Sequence, residues 1–301
     1  MSARPTHRQL EYLVAVSETG HFREAASRCN VSQPTLSTQI QLLEDRLRAK
    51  LIERAPGGAR PTPLGEIVID LARTVLATLD EIQNVAINAE ANLGGLVRLG
   101  VVPTFGPYFL PRVLPRLRAQ YPELELYIRE ERPLELEQSL ASGTLDCALT
   151  RPPERGPRLT YHELTEERLQ LGIPSDHALA NEARILPEML QGQRMLTLGP
   201  DYSLNRYVRE LCQVSGAVMS EDYEGTSLDA IRQMVSIGMG FSLFPERYVA
   251  SEFPKETSVV LRDIEGMSLV RAIGLVWRDG SVRSSQYLRL LEECKQALSD
   301  G

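Results

Sequence analysis

Short polar side chains cluster at the start of one predicted helix, where they could bind nucleic acid. The run Ser32-Gln33-Pro34-Thr35 opens this helix, with Ser32 as an N-cap and Pro34 in the first turn. Residues of this kind at an exposed helix start do not serve a hydrophobic core, but they reach base edges and phosphates. The DNA-binding residues predicted on this helix are Ser32, Gln33, Pro34, Thr35, Ser37, Thr38 and Gln39.

The residues around this helix predict a winged helix-turn-helix domain over residues 1–62. A short helix precedes it, and Asn30 supplies the turn between the two. Apolar residues at helical spacing then mark the face that packs inward. The glycine-containing segment 51–62 predicts a two-stranded wing, from which Arg54 and Arg60 would contact the DNA backbone.

Charge is distributed unevenly along the chain of 301 residues. The formal net charge is −7, yet residues 1–60 contain nine Lys and Arg against six Asp and Glu, a local excess of +3. The remaining residues therefore sum to −10. A basic head on an acidic body is typical of a small DNA-binding module joined to a part that does not bind DNA.

A long linker helix is predicted over residues 63–93. This stretch contains one glycine, Gly65, and its apolar residues are spaced alternately four and three apart. The heptad spacing favours a dimerisation helix with a coiled-coil seam over an amphipathic helix packed on a domain. The predicted seam consists of Val68, Ala72, Val75, Leu79, Ile82, Ala86, Ala89 and Leu93.

After Gly94-Gly95 the pattern changes to alternating short strands and helices, which predicts an α/β domain over residues 94–301. The first part reads as a βαβαβ unit with a parallel sheet. The predicted fold is therefore multidomain α + α/β, ending in a two-lobed domain like those of periplasmic binding proteins, with a ligand cleft between the lobes. Lobe I would cover about 95–166 and 269–301, and lobe II about 167–268.

Several functional classes are disfavoured by the sequence. No apolar run approaches the ~20 residues of a membrane span, and no signal-peptide pattern follows Met1, so we expect a cytoplasmic protein without membrane contact. The four histidines are isolated, and we find no metal-binding motif, nucleophile elbow or phosphate loop. We therefore expect neither an enzyme nor a metal or cofactor site.

The order of these elements resembles that of LysR-type transcriptional regulators. The run AASRCNVSQPTLSTQIQLLEDRLRAKLIER is similar, almost position by position, to the DNA-binding signature of that family, and the resemblance covers the whole chain. It implies homodimers through the linker helix, homotetramers through the α/β domains, and RNA polymerase as a partner. The two winged helix-turn-helix domains of a dimer would bind an interrupted inverted repeat in double-stranded DNA.

Within this family the chain is most similar to the OxyR group of peroxide sensors. The likeness is carried by VSQPTLSTQI, VVPTFGPYFLPRVLPRLRAQYPELELYI, SGTLDCAL and TSLDAIRQMVSIGMGFSLFP. OxyR-like proteins work through a peroxidatic cysteine and a resolving cysteine nine residues later. Here Cys212 matches the resolving position, but Ser203 stands at the peroxidatic position.

The serine changes the redox chemistry that is available. Peroxide oxidises a thiolate to a sulfenic acid, which a second thiol captures as a disulfide, whereas a serine hydroxyl is not ionised near neutral pH. Cys212 then lacks a local partner and is interpreted as a small residue that packs a helix. Cys29 and Cys147 are expected in the core, and nothing marks Cys294 as reactive.

Two explanations of Ser203 remain open. One is a cysteine-to-serine substitution made in a hydrogen-peroxide-sensing activator of the oxidative stress response, which would block its disulfide switch. The other is natural divergence, in which the pocket was kept and its ligand changed. Tyr202, Asn205 and Pro133 stand where the group usually has a histidine, an arginine and a threonine, and these further changes favour divergence.

Hydroxyl groups at the starts of three predicted helices indicate an effector site. A hydroxyl beside helix N–H groups suits a carboxylate or another anion, although each group could instead serve only as a helix cap. Their convergence on one cleft is implied by the family resemblance, and a small anionic effector is expected there. The predicted effector-binding residues are Thr104, Phe105, Tyr202, Ser203 and Thr226.

A second class of function also fits the α/β region, namely a solute-binding module that only sequesters its ligand. The helix-turn-helix counts against that reading. Retardation of the protein's own upstream DNA in a gel would separate the two, because a pure binding module would leave that DNA unshifted.

Overall fold

The computed structural model describes residues 4–55, 58–87, 93–153, 158–255 and 258–299. These residues form two compact units, a winged helix-turn-helix with the helix that follows it, and an α/β domain. Within the described ranges no helix is both long and apolar enough to cross a bilayer.

The first unit is the predicted winged helix-turn-helix. Its elements are α1 (His7–Thr19), α2 (Phe22–Arg28), α3 (Gln33–Leu47), β1 (Ile52–Ala55), β2 (Gly58–Pro61) and α4 (Pro63–Ile87), and the two strands pair antiparallel. Asn30 has a left-handed backbone (φ 54°), which turns the chain from α2 to α3. Leu13, Leu36 and Leu43 are fully buried between the helices. The apolar stripe of α3 therefore faces this core, and its polar face is left to solvent.

Helix α4 carries two apolar stripes, and the structure shows which one the first unit buries. Val68, Ile69 and Ala72 lie on the buried or half-buried side, and the first two pack against the core of the winged domain. The predicted seam through Val68 and Ala72 is therefore wrong in its first turns. The exposed stripe consists of Leu64, Ile67, Leu71, Val75, Leu79 and Ile82. It keeps the three-and-four spacing of a helix seam.

The last three residues of the predicted seam are Ala86, Ala89 and Leu93, and none of them is shown on the exposed stripe of α4. The side chain of Ala86 and the whole of Ala89 are outside the described residues. Leu93 is buried and belongs to the α/β unit, so it is not a seam residue.

The second unit is an α/β domain. Its helices are α5 (Gly106–Gln120), α6 (Pro133–Ala141), α7 (Ser203–Ser215), α8 (Leu228–Ser236), α9 (Glu246–Glu252) and α10 (Ser284–Ser299). Its strands are β3 (Gly95–Val101), β4 (Leu124–Glu130), β5 (Cys147–Thr150), β6 (Leu159–Pro174), β7 (Arg194–Met195), β8 (Val218–Met219), β9 (Ser242–Pro245), β10 (Val259–Arg262) and β11 (Val270–Arg278).

Strand β3 pairs in parallel with β4 and β5, which confirms the predicted βαβαβ unit.

The long strand β6 connects the lobes of this domain. Strand β6 pairs with β11 up to Arg168 and with β9 and β10 from Leu169 onward. This change of partners falls close to the predicted lobe boundary, so β6 belongs to both lobes.

The sequence patterns missed part of this sheet. Residues 163–168, ELTEER, are rich in charge and do not follow a strand pattern, yet they belong to β6. They form a strand because β11 pairs with them along their length. Helix α9 and strand β10 were also missed.

Candidate DNA-binding surface and effector site

The first turn of α3 presents polar side chains to solvent. The Ser32 hydroxyl caps the helix, accepting the Thr35 N–H at 3.3 Å, and the two hydroxyl oxygens lie 2.7 Å apart. Of the predicted set, Ser32, Gln33, Pro34, Thr35 and Thr38 are exposed, and Ser37 and Gln39 are half-buried. This arrangement offers hydrogen-bonding groups on a rigid helix, as base or phosphate recognition requires.

Gln9 supports this surface and was missed by the sequence analysis. Its side chain, 1% exposed on α1, donates from Nε2 to Oε1 of Gln39 at 3.1 Å. The Gln9 Oε1 atom accepts a hydrogen bond from Nη1 of Arg46 at 2.9 Å. These contacts occupy the carbonyl oxygen of Gln39 and leave its amino group available as a donor. A glutamine on the packed face of an amphipathic helix was the signal.

Glu44 positions the wing and was also missed. Its buried carboxylate accepts the N–H groups of Leu51 at 2.9 Å and Ile52 at 3.1 Å, and it pairs with Nζ of Lys50 at 2.6 Å. Burial by itself raises the pKa of Glu44, but these three donors outweigh burial and hold the pKa below its ordinary value. The carboxylate therefore fixes the chain between α3 and β1.

The wing places its two predicted phosphate-binding residues in one hairpin. Arg60 is exposed on β2, opposite Glu53, and the backbone of Arg54 pairs with Ala59. The side chain of Arg54 lies outside the described residues. The Ala59 N–H donates to the carbonyl of Gly20 at 2.6 Å, which holds the wing against the end of α1.

Thr104 is part of a buried ionic network at the end of β3. Nη1 of Arg271 donates to the Thr104 hydroxyl and Nη2 to its carbonyl, both at 2.8 Å. The same guanidinium pairs with Glu167 through Nε at 2.8 Å and Nη2 at 2.7 Å. Thr104, Glu167 and Arg271 are each less than a tenth exposed. Thr104 is thus a hydrogen-bond partner of Arg271 and not the cap of α5, whose N-cap residue is Phe105.

Phe105 lies in the hydrophobic core, against the expectation that it contacts an effector. Its side chain is 0% exposed and stacks on Phe109 with 5.0 Å between ring centroids. The Arg247 guanidinium lies 5.8 Å from the Phe105 ring centroid. The ring therefore packs the helix start and does not line a pocket surface.

The start of α7 brings three of the predicted effector residues close together. Tyr202 is the N-cap residue, and its hydroxyl donates to the Thr226 carbonyl at 3.2 Å. Ser203 is the first residue of α7, and no described residue is hydrogen-bonded to its hydroxyl. Ser227, and not Thr226, caps α8 by accepting the Ala230 N–H at 3.1 Å. Capping therefore accounts for Ser227 but does not account for Ser203.

Ser203 lines a cavity of about 310 Å³, which we call the α7 pocket. Its other walls are Arg151, Pro152, Pro153, Glu166, Arg206, Tyr207 and residues 270–273 of β11. The volume lies at the lower end of the range for small-molecule sites, roughly 300–1,000 Å³. Because Arg271 both lines this pocket and holds Thr104, it links the two hydroxyl residues that the sequence predicted together.

Most positive charges around the α7 pocket are already balanced. Arg271 is paired with Glu167, and Arg151 lies 3.4 Å from Glu137, with both side chains largely buried. Arg206 is more than half exposed, and its nearest carboxylate, Glu210, is 3.9 Å away. The Arg206 guanidinium is therefore the positive group best placed to meet a ligand.

An ion pair joins the segments that precede α6 and α7. Nη1 of Arg132 donates to Oδ2 of Asp201 at 2.6 Å, and Arg132 also pairs with Glu135. Arg132 immediately precedes Pro133, which stands where the OxyR group usually has a threonine, and Asp201 lies two residues before Ser203. An ion pair of Arg132 thus lies next to the position at which the resemblance implied a hydroxyl.

Cys212 lies on the same helix as Ser203 and is poorly suited to redox chemistry. Nine residues of helix separate the two by about 13.5 Å at 1.5 Å per residue. Burial raises the pKa of the Cys212 thiol to about 11, with Arg209 opposing the shift. The thiol is therefore protonated near neutral pH and is distant from position 203.

The other three cysteines are buried. Burial raises the pKa of Cys29 and Cys147, and it raises that of Cys294 to about 12. Such thiols behave as small apolar residues. Among the described residues, no group of three or more His, Cys, Asp or Glu is arranged to hold a metal ion.

A helix-turn-helix with a polar recognition surface, followed by an α/β domain with a small-molecule pocket, defines a DNA-binding transcriptional regulator with an effector-binding domain. Residues 7–66 match the model for "Bacterial regulatory helix-turn-helix protein, lysR family", and residues 90–299 match that for "LysR substrate binding domain". The chain therefore belongs to the LysR family of transcriptional regulators.

Its relatives include OxyR proteins. The DNA-binding transcriptional dual regulator OxyR of Escherichia coli (strain K12) is 37% identical over 294 residues, covering 98% of this chain and 96% of that protein. The hydrogen peroxide-inducible genes activator of Haemophilus influenzae is 36% identical, covering 94% of each chain. Full-length OxyR from Pseudomonas aeruginosa, with one cysteine replaced by aspartate, has a TM-score of 0.79 at 30% identity, covering 97% of this chain and 98% of that one.

Proposed function

We propose that this regulator controls transcription in response to a small molecule with an anionic group bound in the α7 pocket, without a disulfide switch. The observation that carries the proposal is Ser203, whose hydroxyl lines the pocket at the first turn of α7 and has no described hydrogen-bond partner. A hydroxyl, the first N–H groups of a helix and the nearby Arg206 together suit a carboxylate.

Peroxide sensing through positions 203 and 212 is disfavoured by the chemistry of both residues. Ser203 cannot form a sulfenic acid, and burial keeps Cys212 protonated by raising its pKa to about 11. Relatives named as hydrogen peroxide-inducible activators share the fold, but the switch that the resemblance implies needs a thiol that this chain lacks.

For the DNA-binding part, we propose that paired recognition helices read an interrupted inverted repeat in the cytoplasm. The exposed stripe of α4 supports dimerisation, since Ile67 and Leu71 are each more than 60% exposed and apolar. A small, mainly apolar cavity of about 120 Å³ beside Leu114, Leu126 and Ile128 on α5 and β4 suits a second contact that would build a tetramer. RNA polymerase is the proposed partner at the promoter, and the protein acts by binding and not by catalysis.

The proposal is tested by footprinting the full-length protein on its own upstream DNA, with and without a panel of small carboxylates. A responding carboxylate should change the footprint of the natural protein and of Arg209→Gln, an exposed α7 residue outside the pocket. Arg206→Gln should bind the same DNA but lose the change. An equal response of both variants would contradict the pocket assignment.

A peroxide arm separates this proposal from a disulfide switch. After hydrogen peroxide treatment, mass mapping without reductant should show no disulfide that includes Cys212, and the footprint should stay the same. A peroxide-dependent footprint together with a Cys212 disulfide would overturn the proposal.

A further inference from the structure

We infer that the effector is a zwitterion, with a cationic group for Glu166 in addition to the anionic group for Ser203 and Arg206. Glu166 lies on β6 and lines the α7 pocket together with these two residues. This inference rests on the proposed function and names the chemical class of ligand for the same pocket.

The balance of charge in the pocket indicates a zwitterionic ligand. Arg151 and Arg271 have carboxylate partners at 3.4 Å and 2.7 Å, so they contribute little net charge to the cavity. The charged groups with the weakest protein partners are Arg206, whose exposed ion pair with Glu210 spans 3.9 Å, and the carboxylate of Glu166. One group of each sign in one small cavity matches a ligand that carries one charge of each sign.

Glu166 has no evident structural task. Its neighbour Glu167 is 1% exposed and holds both Arg271 and the backbone N–H of Arg247. Glu166 is exposed on the same strand, and no described residue forms an ion pair with it. A purely anionic ligand would be repelled by this carboxylate, whereas an ammonium group would pair with it.

The size of the pocket limits the ligand to something comparable to an amino acid. A cavity of about 310 Å³ lies at the lower end of the range for small-molecule sites, roughly 300–1,000 Å³. The uncharged part of the wall consists of Pro152, Pro153, Tyr207, Val270, Ala272 and Ile273. The pocket therefore fits a short carbon chain or ring that joins an amino group to a carboxylate.

The test uses the full-length protein and probes that differ in charge only. The standard α-amino acids and the ω-amino acids from β-alanine to 6-aminohexanoate are first screened by thermal shift. For the tightest binder, titration calorimetry then compares the zwitterion with its des-amino acid and its decarboxylated amine. We expect the zwitterion to bind at least tenfold more tightly than either matched compound.

Substitutions at Glu166 test whether its carboxylate causes the preference for the zwitterion over the des-amino acid. Glu166→Gln should remove the preference over the des-amino acid while leaving the affinity for that acid within about twofold, and Glu166→Lys should favour the dicarboxylate of equal length. Glu163→Gln, on the same strand and outside the pocket, should keep the natural preference.

The outcomes separate the inference from the proposed function. The inference is overturned if the des-amino acid binds as tightly as the zwitterion, if Glu166→Gln keeps the preference, or if no zwitterion in the set raises the Tm. In the first of these cases, binding that is lost in Arg206→Gln would still support the proposed function. If no carboxylate changes the footprint, the proposed function itself is contradicted.

Discussion

At position 203 this chain has a hydroxyl where the OxyR group, by resemblance, uses a thiol. The surroundings of Ser203 still favour anions, because it opens α7 beside Arg206. What the hydroxyl cannot do is pass an oxidation to Cys212, which lies about 13.5 Å along the same helix. A disulfide needs Cα atoms within about 7 Å, so even a cysteine at position 203 would require α7 to unwind.

Thr104 illustrates how one hydroxyl supports a buried charge. Replacing it in Thr104→Val leaves a guanidinium N–H of Arg271 without its acceptor, and we expect a loss of about 1–3 kcal/mol in the free energy of unfolding. Thr104→Ser keeps the hydroxyl and should lose much less. Urea unfolding followed by the fluorescence of Trp277 measures both, since this tryptophan lies in the same domain. Equal stability of the two variants would show that the hydrogen bond contributes little.

At the scale of elements, Glu44 connects the recognition helix to the wing. In Glu44→Ala the N–H groups of Leu51 and Ile52 lose their buried acceptor, which costs about 2–3 kcal/mol locally. Hydrogen exchange at these two amides should accelerate accordingly. Glu53→Ala, which removes an exposed carboxylate of β1, is the matched control and should change them little.

The lowered pKa of Glu44 also predicts a pH dependence with a definite sign. A carboxylate whose folded pKa lies below its unfolded value stabilises the fold above the unfolded pKa, and this contribution is lost as pH falls through the folded pKa. As the pH drops below about 4.3, protection of the Leu51 and Ile52 amides, corrected for intrinsic exchange, should therefore decrease. The difference between the natural protein and Glu44→Ala should shrink in the same range. A constant difference would contradict the ionic role.

Helix α4 offers a test of the seam that the structure exposes. Leu71→Lys places a charge in the exposed apolar stripe, and we expect sedimentation equilibrium to report half of the natural assembly mass. Glu66→Lys introduces the same side chain on the polar side of the helix and should leave the mass unchanged. Loss of assembly in both variants would place the interface elsewhere.

At the scale of the whole molecule, a basic DNA-binding unit and an acidic effector domain share one chain. Residues 1–60 carry a net charge of +3 within a total of −7, so attraction to DNA is confined to one end. In the other unit, β6 continues from its pairing with β11 to its pairing with β9 and β10, and so connects the lobes. A ligand held between α7 and β11 therefore contacts both lobes and can bias how they sit.

The salt dependence of operator binding tests the wing. Arg60→Ala should weaken binding to all sequences alike and reduce the slope of log K against log salt by about 0.9, the contribution of one phosphate contact. Gln33→Ala should instead change the preference among operator sequences with the slope preserved. Fluorescence anisotropy over a range of salt concentrations measures both. An unchanged slope in Arg60→Ala would remove this residue from the interface.

Sequence patterns determine much of the molecule because they record local preferences. Helical spacing of Leu36, Ile40 and Leu43 orients α3, and Ser32 starts it, so the exposed recognition face follows from near neighbours alone. The absence of a thiol at position 203 likewise follows directly from the identity of one residue, Ser203. The βαβαβ unit follows from alternating patterns, and its parallel pairing was confirmed.

Tertiary structure decided whatever depends on partners far along the chain. The sequence of α4 contains two apolar stripes, and only packing against the winged domain shows that Val68 and Ala72 belong to the inner one. Thr104 meets Arg271 from 167 residues away, and no periodicity encodes that contact. The charge of the α7 pocket could likewise not be read from its arginines, because buried carboxylates on other helices and strands neutralise two of them.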